Sequence, residues 1–435
     1  MESLPSNISS LSISNQGYTF TLLPTENIIP KTAFIDKFIN ISTVKYDGQG
    51  INYVELSLGR DIVREDRNDK VVPKMENSES SLAKLARFKG LGRQKKDIFY
   101  QFSKCYTNVK GAFLHEQMRR NVLFISKNEL LYKTSDGFEM LDIVTNMKYT
   151  VLFVDEEDNQ RGTFVTCFDA YRKGNKIILA FGKMNSIGRI YELEVKDINK
   201  ELKTKKFDVI KKMSIRIQDG DTEAICAIEF TPDKTKIMTA DNLGQILFWD
   251  YNTLNIIMRY QYKFAVNNCC YSERYNLLSC VVDHEEVVNF DYRTQELLHK
   301  LKGHKDYGFV CKFNNDYTLA TGNQDISCKL WDVRKFDKES SKSCYKTLYG
   351  RLSSIGNLKF IRDDLIAYFE NADYFHIYDI ANDKIQNIEY FGQTVGAAVS
   401  DITSKIYIGY IFRERTGLLV YEPIDMRNMI DNIML

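Results

Sequence analysis

A short segment of the chain concentrates cations beside aromatic rings, a combination suited to binding RNA. Basic side chains neutralise phosphates, and the neighbouring Phe88, Phe99, Tyr100 and Phe102 offer flat faces on which bases stack. No acidic residue interrupts the run from residue 84 to residue 96. We therefore predict an RNA-binding segment. Its cations are Lys84, Arg87, Lys89, Arg93, Lys95 and Lys96, with Arg119 and Arg120 as the next candidates.

The same segment has a simpler interpretation as a solvated linker whose aromatic residues pack on a neighbouring domain, because runs of charge are commonly just solvated. A nucleotide-binding loop is excluded, since neither G-x-x-x-x-G-K-[ST] nor G-x-G-x-x-G occurs around KGLGRQKK. A second basic run, residues 203–212, could be an ordinary loop or could widen an RNA footprint.

Candidate catalytic residues are few. The chain has five histidines, and the H-E-x-x-H and G-x-S-x-G motifs are absent. His304, Thr321 and Asp325 could be imagined as a nucleophilic triad. Together with Trp331 they equally form a set that would satisfy one another's hydrogen bonds while buried, and the repeats in which they lie favour that structural role. We predict no catalytic residue, no metal site and no cofactor.

Internal repeats organise the second half of the chain. Pairs of an aromatic and an acidic residue recur at steps of 41, 41, 47 and 43 residues. Weaker matches at Tyr191-Glu192 and Tyr132-Lys133 bring the number of units to seven. The five clear pairs are Trp249-Asp250, Phe290-Asp291, Trp331-Asp332, Tyr378-Asp379 and Tyr421-Glu422.

Within each unit, runs such as CAIEF, KIMTA and QILFW predict strands of four to six residues, and TPDKT and DNLG predict turns. Four such strands in 40 to 45 residues correspond to one blade of a β-propeller. The unit LKGHKDYGFVCKF followed by TLATGNQDISCKLWD resembles the WD-repeat family. That resemblance implies that His304, Thr321, Asp325 and Trp331 form the family's structural tetrad. We therefore predict an all-β, seven-bladed WD-repeat propeller over residues 110–425.

The rest of the chain is predicted to be an N-terminal arm, residues 1–109, and a short tail, residues 426–435. Residues 1–30 are rich in Ser, Asn and Pro, which is typical of an extended or disordered arm. Two runs between residues 40 and 57 look like strands, and we expect that they could supply the outermost strand that closes the ring. A polar linker over residues 61–81 precedes the basic segment.

Composition restricts the compartment and the partners. The net charge is +1, yet residues 80–110 carry a local charge of +7, which leaves −6 for the remainder. No stretch of 18 uncharged apolar residues is present, so we expect no membrane partner. The nine cysteines form no C-x-x-C pair, which favours free thiols in a reducing compartment. These features predict a protein of the cytoplasm or the nucleus, and we assign it to the cytoplasm.

The segments SSIGNLKFIRDDLIAYFENADYFHIYD (residues 353–379) and FGQTVGAAVSDITSKIYIGYIFRERTGLLVYEP (residues 391–423) resemble the C-terminal blades of one eukaryotic WD-repeat group. That group includes plant proteins of unassigned role, a fungal substrate receptor of a multisubunit ubiquitin ligase, and ribosome dormancy factors of microsporidia. Frequent Lys, Asn, Ile and Tyr suggest an AT-rich genome, so the chain looks most similar to the microsporidian branch.

This resemblance implies a non-catalytic hibernation factor that occupies the tRNA exit (E) site of idle ribosomes, excludes deacylated tRNA and so inhibits translation. The implied partners are rRNA and ribosomal proteins near that site, with no DNA and with the protein a monomer when bound. Two alternatives remain: a ubiquitin-ligase receptor that recognises protein N-termini, and a scaffold without RNA contact.

Overall fold

The computed structural model describes most of the chain from residue 99 onward and four strands before it. The described residues are 11–15, 18–22, 39–46, 51–58, 99–107, 109, 120–153, 165–199, 204–217, 224–336, 343–413 and 415–424. The chain divides into two compact units, residues 1–88 and residues 89–435.

The first unit contains two hairpins. Strands β1 (Leu11–Asn15) and β2 (Tyr18–Leu22) pair with each other, and β3 (Ile39–Tyr46) pairs with β4 (Ile51–Leu58). The strands predicted between residues 40 and 57 are therefore confirmed. The hairpin within the first thirty residues was not predicted, because its alternating LSISN and YTFTL runs are short and lie among Ser and Asn residues.

The described part of the second unit consists of antiparallel strands and a single turn of 3-10 helix, Val333–Lys335. Its strands are β5 (Tyr100–Tyr106), β6 (Val122–Phe124), β7 (Glu129–Lys133), β8 (Gly137–Asp142), β9 (Lys148–Phe153), β10 (Val165–Lys173), β11 (Lys176–Lys183), β12 (Ile187–Asn199), β13 (Thr204–Arg216), β14 (Ile225–Phe230), β15 (Lys236–Asp241), β16 (Gln245–Asp250), β17 (Ile256–Gln261), β18 (Val266–Ser272), β19 (Leu277–Val282), β20 (Val287–Asp291), β21 (Leu297–Leu301), β22 (Gly308–Phe313), β23 (Thr318–Asn323), β24 (Ser327–Asp332), β25 (Cys344–Tyr349), β26 (Ile355–Arg362), β27 (Leu365–Glu370), β28 (Ala372–Asp379), β29 (Lys384–Val399), β30 (Ile406–Phe412) and β31 (Arg415–Pro423).

Most of these strands form four-stranded sheets in chain order. The first to fifth sheets are β6–β9, β10–β13, β14–β17, β18–β21 and β22–β25, and a further sheet has seven strands in the order β26 to β31 and then β5. Strand β29 pairs with β28 as far as Gln393 and with β30 from Gln393 to Val399. Strand β29 is therefore both the fourth strand of one four-stranded set, β26–β29, and the first strand of the next, which continues with β30, β31 and β5. The predicted all-β class is confirmed, whereas the number of blades stays a prediction.

The sheets form a ring through their first strands, which we call the inner strands: β6, β10, β14, β18, β22, β26 and the second half of β29. Each inner strand contacts the inner strand of the next set, and β29 contacts β6. The amide of Asn121 donates to the carbonyl of Val395 at 3.0 Å across that last junction. Apolar side chains fill the space between neighbouring sheets, as Phe248 and Phe290 do between the third and fourth.

The strand at the outer edge of the last set is β5, not the predicted strands between residues 40 and 57, which pair with each other. Strand β5 pairs with β31 and begins before residue 110, the predicted start of the propeller. The Gln386 side chain holds its first residues. It accepts from the amides of Phe99 and Tyr100 at 2.8 and 2.9 Å and donates to the Tyr100 carbonyl at 2.7 Å.

The acid closes a turn in three of the five clear repeated pairs. In the third sheet, Asp250 ends β16 and its carboxylate accepts from the amides of Asn252 and Thr253, which closes the turn to β17. Asp291 and Asp379 accept turn amides in the same way. For these three pairs, the period seen in the sequence is therefore the spacing of turns.

The first predicted unit was assigned to the wrong strand. Tyr132-Lys133 lies in β7, the second strand of its sheet. The turn that follows the third strand is closed by Asp142, which accepts from the amides of Val144 and Thr145. Leu141 precedes this acid, so the pattern of an aromatic residue followed by an acid missed the pair.

Candidate functional site

The structure describes one of the eight predicted RNA-binding cations. Lys84, Arg87, Lys89, Arg93, Lys95, Lys96 and Arg119 lie outside the described residues. Arg120, one of the two secondary candidates, is described and is partly exposed. Its guanidinium donates to the carbonyls of Cys226 at 3.4 Å and Asn267 at 2.7 Å, on the inner strands of the third and fourth sheets. Arg120 therefore bonds to the ring itself, and its contact with RNA stays a prediction.

The second basic run, residues 203–212, falls largely on β13, the outermost strand of the second sheet. Lys211 and Lys212 are exposed there, and the Lys212 ammonium lies 5.5 Å from the centre of the Tyr191 ring. The run is therefore a sheet edge and not the ordinary loop considered above. Charged residues on an outer strand also hinder pairing with other chains.

The structure brings the four predicted tetrad residues together in the fifth sheet. The indole Nε1–H of Trp331 donates to Thr321 Oγ1 at 2.8 Å, and the same hydroxyl is 2.8 Å from His304 Nε2. His304 Nδ1 is 3.0 Å from Asp325 Oδ2. All four groups are satisfied when Thr321 donates to Nε2 and the Nδ1–H of His304 donates to Asp325.

Ser327 is a fifth member of this set that the sequence analysis did not predict. Its hydroxyl donates to Asp325 Oδ1 at 2.5 Å and is 3.1 Å from His304 Nδ1. The amide of Lys305 also donates to Asp325. Burial raises the pKa of this carboxyl, but the hydrogen bonds from His304 and Ser327 outweigh it and lower the pKa to about 2.

The tetrad has the geometry of a structural set and not of a nucleophilic triad. Thr321 has no exposed surface, so no substrate could reach its hydroxyl, which already bonds Trp331 and His304. Burial lowers the pKa of His304 and keeps its imidazole neutral. The network ties the loop that contains His304 to strands β23 and β24.

A group of charged side chains meets at the centre of the ring. Lys312 of β22 lies 3.0 Å from each carboxylate oxygen of Glu229 of β14. Strands β22 and β14 belong to the fifth and third sheets, and the fourth sheet lies between these two. The ion pair must therefore lie between β18, the inner strand of the fourth sheet, and the axis of the ring. Asn268 of that strand donates to Glu229 at 3.4 Å. Lys312 outweighs the effect of burial and lowers the pKa of Glu229.

Asp169 and Lys359 complete this central group. Asp169 accepts from the Phe230 amide at 2.8 Å, and burial together with the nearby Glu229 raises its pKa. Burial and the Lys312 ammonium lower the pKa of Lys359 to about 8. The sequence analysis missed these residues. The available signal was a single charge at the same place in apolar runs such as CAIEF, FVCKF and GNLKF.

Two further features bear on the kind of site present. Within the described ranges, no group of three or more His, Cys, Asp or Glu side chains could hold a metal ion. Among the same residues, none of the helical structure is long and apolar enough to span a bilayer.

Comparison with known proteins supports the WD-repeat assignment. No protein-family model matches the chain. The chain is 25% identical over 127 residues to a guanine nucleotide-binding protein subunit beta of Lymnaea stagnalis, covering 28% of this chain and 37% of that protein. The corresponding protein of Dictyostelium discoideum is 27% identical over 124 residues, covering 27% and 36%. The chain thus spans about a third of the length of these curated relatives.

Two solved structures share the fold over most of the chain. A chain of the mitotic checkpoint complex superposes with a TM-score of 0.59 at 13% identity, covering 82% of this chain and 100% of that one. The WD40 β-propeller domain of Doa1 gives 0.56 at 13% identity, covering 75% and 98%. The protein therefore has the fold of the WD-repeat β-propellers. Among the similar proteins named above are subunits of protein complexes. The predicted relation to ribosome dormancy factors stays a prediction.

Proposed function

We propose that the protein is a non-catalytic, cytoplasmic ribosome-binding factor that occupies the tRNA exit site of idle ribosomes and excludes deacylated tRNA. The propeller would act as a rigid wedge, and the basic segment would contact rRNA. The observation that carries the proposal is the separation of charge. Residues 80–110 hold a net +7 while the remainder of the chain holds −6, so electrostatic attraction to RNA would concentrate in one short segment.

The described ring supports a binding role over a catalytic one. The residues that most resemble a catalytic triad, those around His304 and Thr321, are buried and fully hydrogen bonded. Its outer edge is completed by β5, which keeps the ring closed without a partner. A closed propeller changes shape little on binding, as occupation of a fixed space between ribosomal subunits requires.

The test is cosedimentation of the full chain with idle ribosomes at several salt concentrations. A variant with Lys84, Arg87, Lys89, Arg93, Lys95 and Lys96 changed to Ser should bind weakly, and its affinity should depend less steeply on salt. Each lost phosphate contact flattens the log–log slope by about 0.7 to 0.9. Deacylated tRNA should compete with the unmodified protein.

A matched control keeps the number of lost charges equal. It carries Ser at six exposed cations of the ring outside the basic run 203–212: Arg259, Arg293, Lys302, Lys305, Lys335 and Arg413. The control should retain the affinity and the salt slope of the unchanged protein. The proposal fails if the two variants sediment alike, or if deacylated tRNA and the protein bind the same ribosomes together.

A second candidate function is a ubiquitin-ligase receptor for protein N-termini, which needs carboxylates at an open face to hold an ammonium. Asp283 and Glu285 are exposed in the turn between β19 and β20, and this observation favours that candidate. A peptide with a free N-terminus would then bind more tightly than its acetylated form. Asp283→Asn would weaken that binding, and the protein would sediment with ligase complexes instead of ribosomes.

A further inference from the structure

Strands β12 and β13 continue past the end of their sheet as a two-stranded ribbon. Strand β11 pairs with β12 only as far as Lys176, opposite Glu194, whereas β12 and β13 pair with each other as far as Asn199, opposite Thr204. The part of β12 beyond β11 is about 16 Å long, at roughly 3.3 Å per residue. We call residues 195–199 and 204–207 the ribbon.

The base of the ribbon is held by the ring. The amide of Val195 donates to the Asn175 carbonyl at 3.2 Å, and Asn175 Nδ2 donates to the Val195 carbonyl at 2.8 Å. Asn175 lies in the turn between β10 and β11. Phe207, opposite Val195 in the register, packs against the apolar core between the first and second sheets. The packed ring therefore fixes where the ribbon leaves it.

The ribbon and the turn at its tip are rich in lysine. Residues 196–206 contain five lysines and two acids, a local charge of +3. The equivalent turns of the first and third sheets, residues 143–147 and 251–255, contain no charged residue. Cations on β13 would by themselves hinder pairing of this sheet edge with other chains, but that task does not require an extension past β11. The extension therefore calls for another explanation.

The cations of β13 occur as two consecutive pairs. Lys205 and Lys206 form one pair, and Lys211 and Lys212 form the other, so each pair supplies one position to each face of the strand. Lys211 and Lys212 are exposed. Asp208 is the one acid in the sequence of β13. Both faces of the strand therefore carry lysine positions, spread over a length of roughly 20 Å.

We propose that the ribbon, together with Lys211 and Lys212, binds the phosphate backbone of double-helical RNA. The inference deepens the proposed function and rests on it, because rRNA helices would be the partner in the cell. A lysine ammonium is a compact point charge suited to phosphate oxygens. A two-stranded β-ribbon fits a groove of a double helix, where a phosphate backbone lies on each side of it. Lysine positions on both faces match that arrangement.

A single RNA strand fits this surface less well. Proteins hold single strands with aromatic side chains on which the bases stack. The exposed residues between the two lysine pairs are aliphatic, Val209 and Ile210. The basic segment 84–96, by contrast, has Phe88 within it and Phe99 and Tyr100 just after it. The segment thus suits unpaired bases and the ribbon suits a helix, so the two would contact different parts of a folded RNA.

The test is fluorescence anisotropy of a labelled RNA duplex of about 16 base pairs, titrated with the full chain at several salt concentrations. A variant with Lys205, Lys206, Lys211 and Lys212 changed to Ser should bind at least about tenfold more weakly, and each lost phosphate contact should flatten the log–log salt slope by about 0.9. Changing the same four residues to Arg keeps their charge and should keep the affinity within a few-fold.

The matched control carries Ser at four exposed cations of other sheets: Arg259, Arg293, Lys302 and Lys305. It should leave the affinity and the salt slope unchanged. Each variant is also made in a chain whose six cations of segment 84–96 are Ser, where the ribbon variant should lose affinity by the same factor. A segment that proves inactive on ribosomes would leave the duplex result intact, so the two proposals fail separately. Thermal unfolding of each variant establishes that the ring is intact.

The proposal is overturned if the unchanged protein does not bind the duplex, if the Ser variant of the ribbon binds it as tightly as the unchanged protein, or if the control loses as much affinity as that variant. Two further outcomes, both measured in the chain with the Ser segment, would assign the surface to another partner and overturn the proposal as well. They are tighter binding of a single strand of the same length and equal competition by polyglutamate.

Discussion

Two loops that lead into neighbouring inner strands are held in opposite ways. Residues 302–307 precede β22, and their His304 side chain reaches into the fifth sheet to meet Thr321 and Asp325. Residues 350–354 precede β26, and here a side chain of the sheet, Glu370 of β27, holds the backbone of the loop. The Glu370 carboxylate accepts the backbone amides of Arg351, Leu352 and Ser353. It also lies 2.8 Å from His376 Nε2.

The comparison shows that a recognisable motif is only one solution to a common requirement. A loop can be anchored by its own side chain, which leaves a Gly-His signature in the sequence, or by a carboxylate that binds backbone amides, which leaves none. The second solution concentrates several hydrogen bonds on one fully buried group. We therefore expect the unit without the motif to be the more sensitive to a single substitution.

Glu370→Gln gives the largest expected effect. The amide has one acceptor oxygen in place of two and presents N–H donors to backbone N–H groups, so buried donors lose their partners. The free energy of unfolding should fall by about 3 kcal/mol. Urea titration measures this loss. Glu296→Gln, at an exposed position between β20 and β21, is the control and should change stability by less than about 0.5 kcal/mol. A loss under 1 kcal/mol for Glu370→Gln would contradict the comparison.

Asp373→Asn tests the same region through pH. Burial and the nearby carboxylates of Glu389 and Glu370 raise the pKa of Asp373 to about 7, although the Gly392 amide donates to it. The folded protein therefore retains a proton that the unfolded chain releases near pH 4. As a result, the contribution of Asp373 to the free energy of unfolding falls as the pH rises from 4 through 7. The variant should be more stable than the unchanged protein at pH 8, by about 2 kcal/mol, with no gain at pH 4.

That gain should also be visible as a pH-dependent shift in the melting temperature. Asn keeps an oxygen for the Gly392 amide and tolerates the left-handed backbone at this position, where φ is 64°. A gain of the same size at both pH values would show that backbone preference, and not the proton, is responsible.

The two tryptophans allow the stability contributed by the tetrad to be compared with that of a simpler Trp–Thr pair. Trp331 donates to Thr321, which also bonds His304, whereas Trp249 in the third sheet donates to Thr239 at 2.9 Å. Trp331→Phe should cost about 2 kcal/mol and Trp249→Phe about 1 kcal/mol. Chemical denaturation of both variants measures the difference. Equal losses would mean that His304 adds no cooperativity.

The smallest effect is expected from His304→Gln as pH falls. Burial lowers the pKa of His304, so below about 6.5 the unfolded chain takes up a proton that the folded chain does not. The unchanged protein should lose stability in this window, and its advantage over the variant should shrink. Unfolding at pH 7.5 and 5.5 measures the change. A constant advantage would show that His304 takes up its proton as readily in the folded protein as in the unfolded chain.

The sequence predicted those features that depend on residues close together in the chain. Asp250 and Asp291 were visible in the sequence because each closes a turn between adjacent strands, and His304, Thr321, Asp325 and Trp331 because one unit contains them all. The closing strand β5 was missed, since its partner β31 lies at the other end of the chain and leaves no local signal. Lys359 and Lys312 were missed because their relation to Glu229 exists only once separate sheets meet at the axis.

The pairing of β5 with β31 also sets an order for biosynthesis. The ribosome makes Tyr100–Tyr106 before any other strand of the ring, yet the partner of that segment emerges last. During translation β5 has an unsatisfied edge while sheet after sheet assembles behind it. A message truncated before residue 415 would yield an open ring, so closure of the ring reports that synthesis has passed β31.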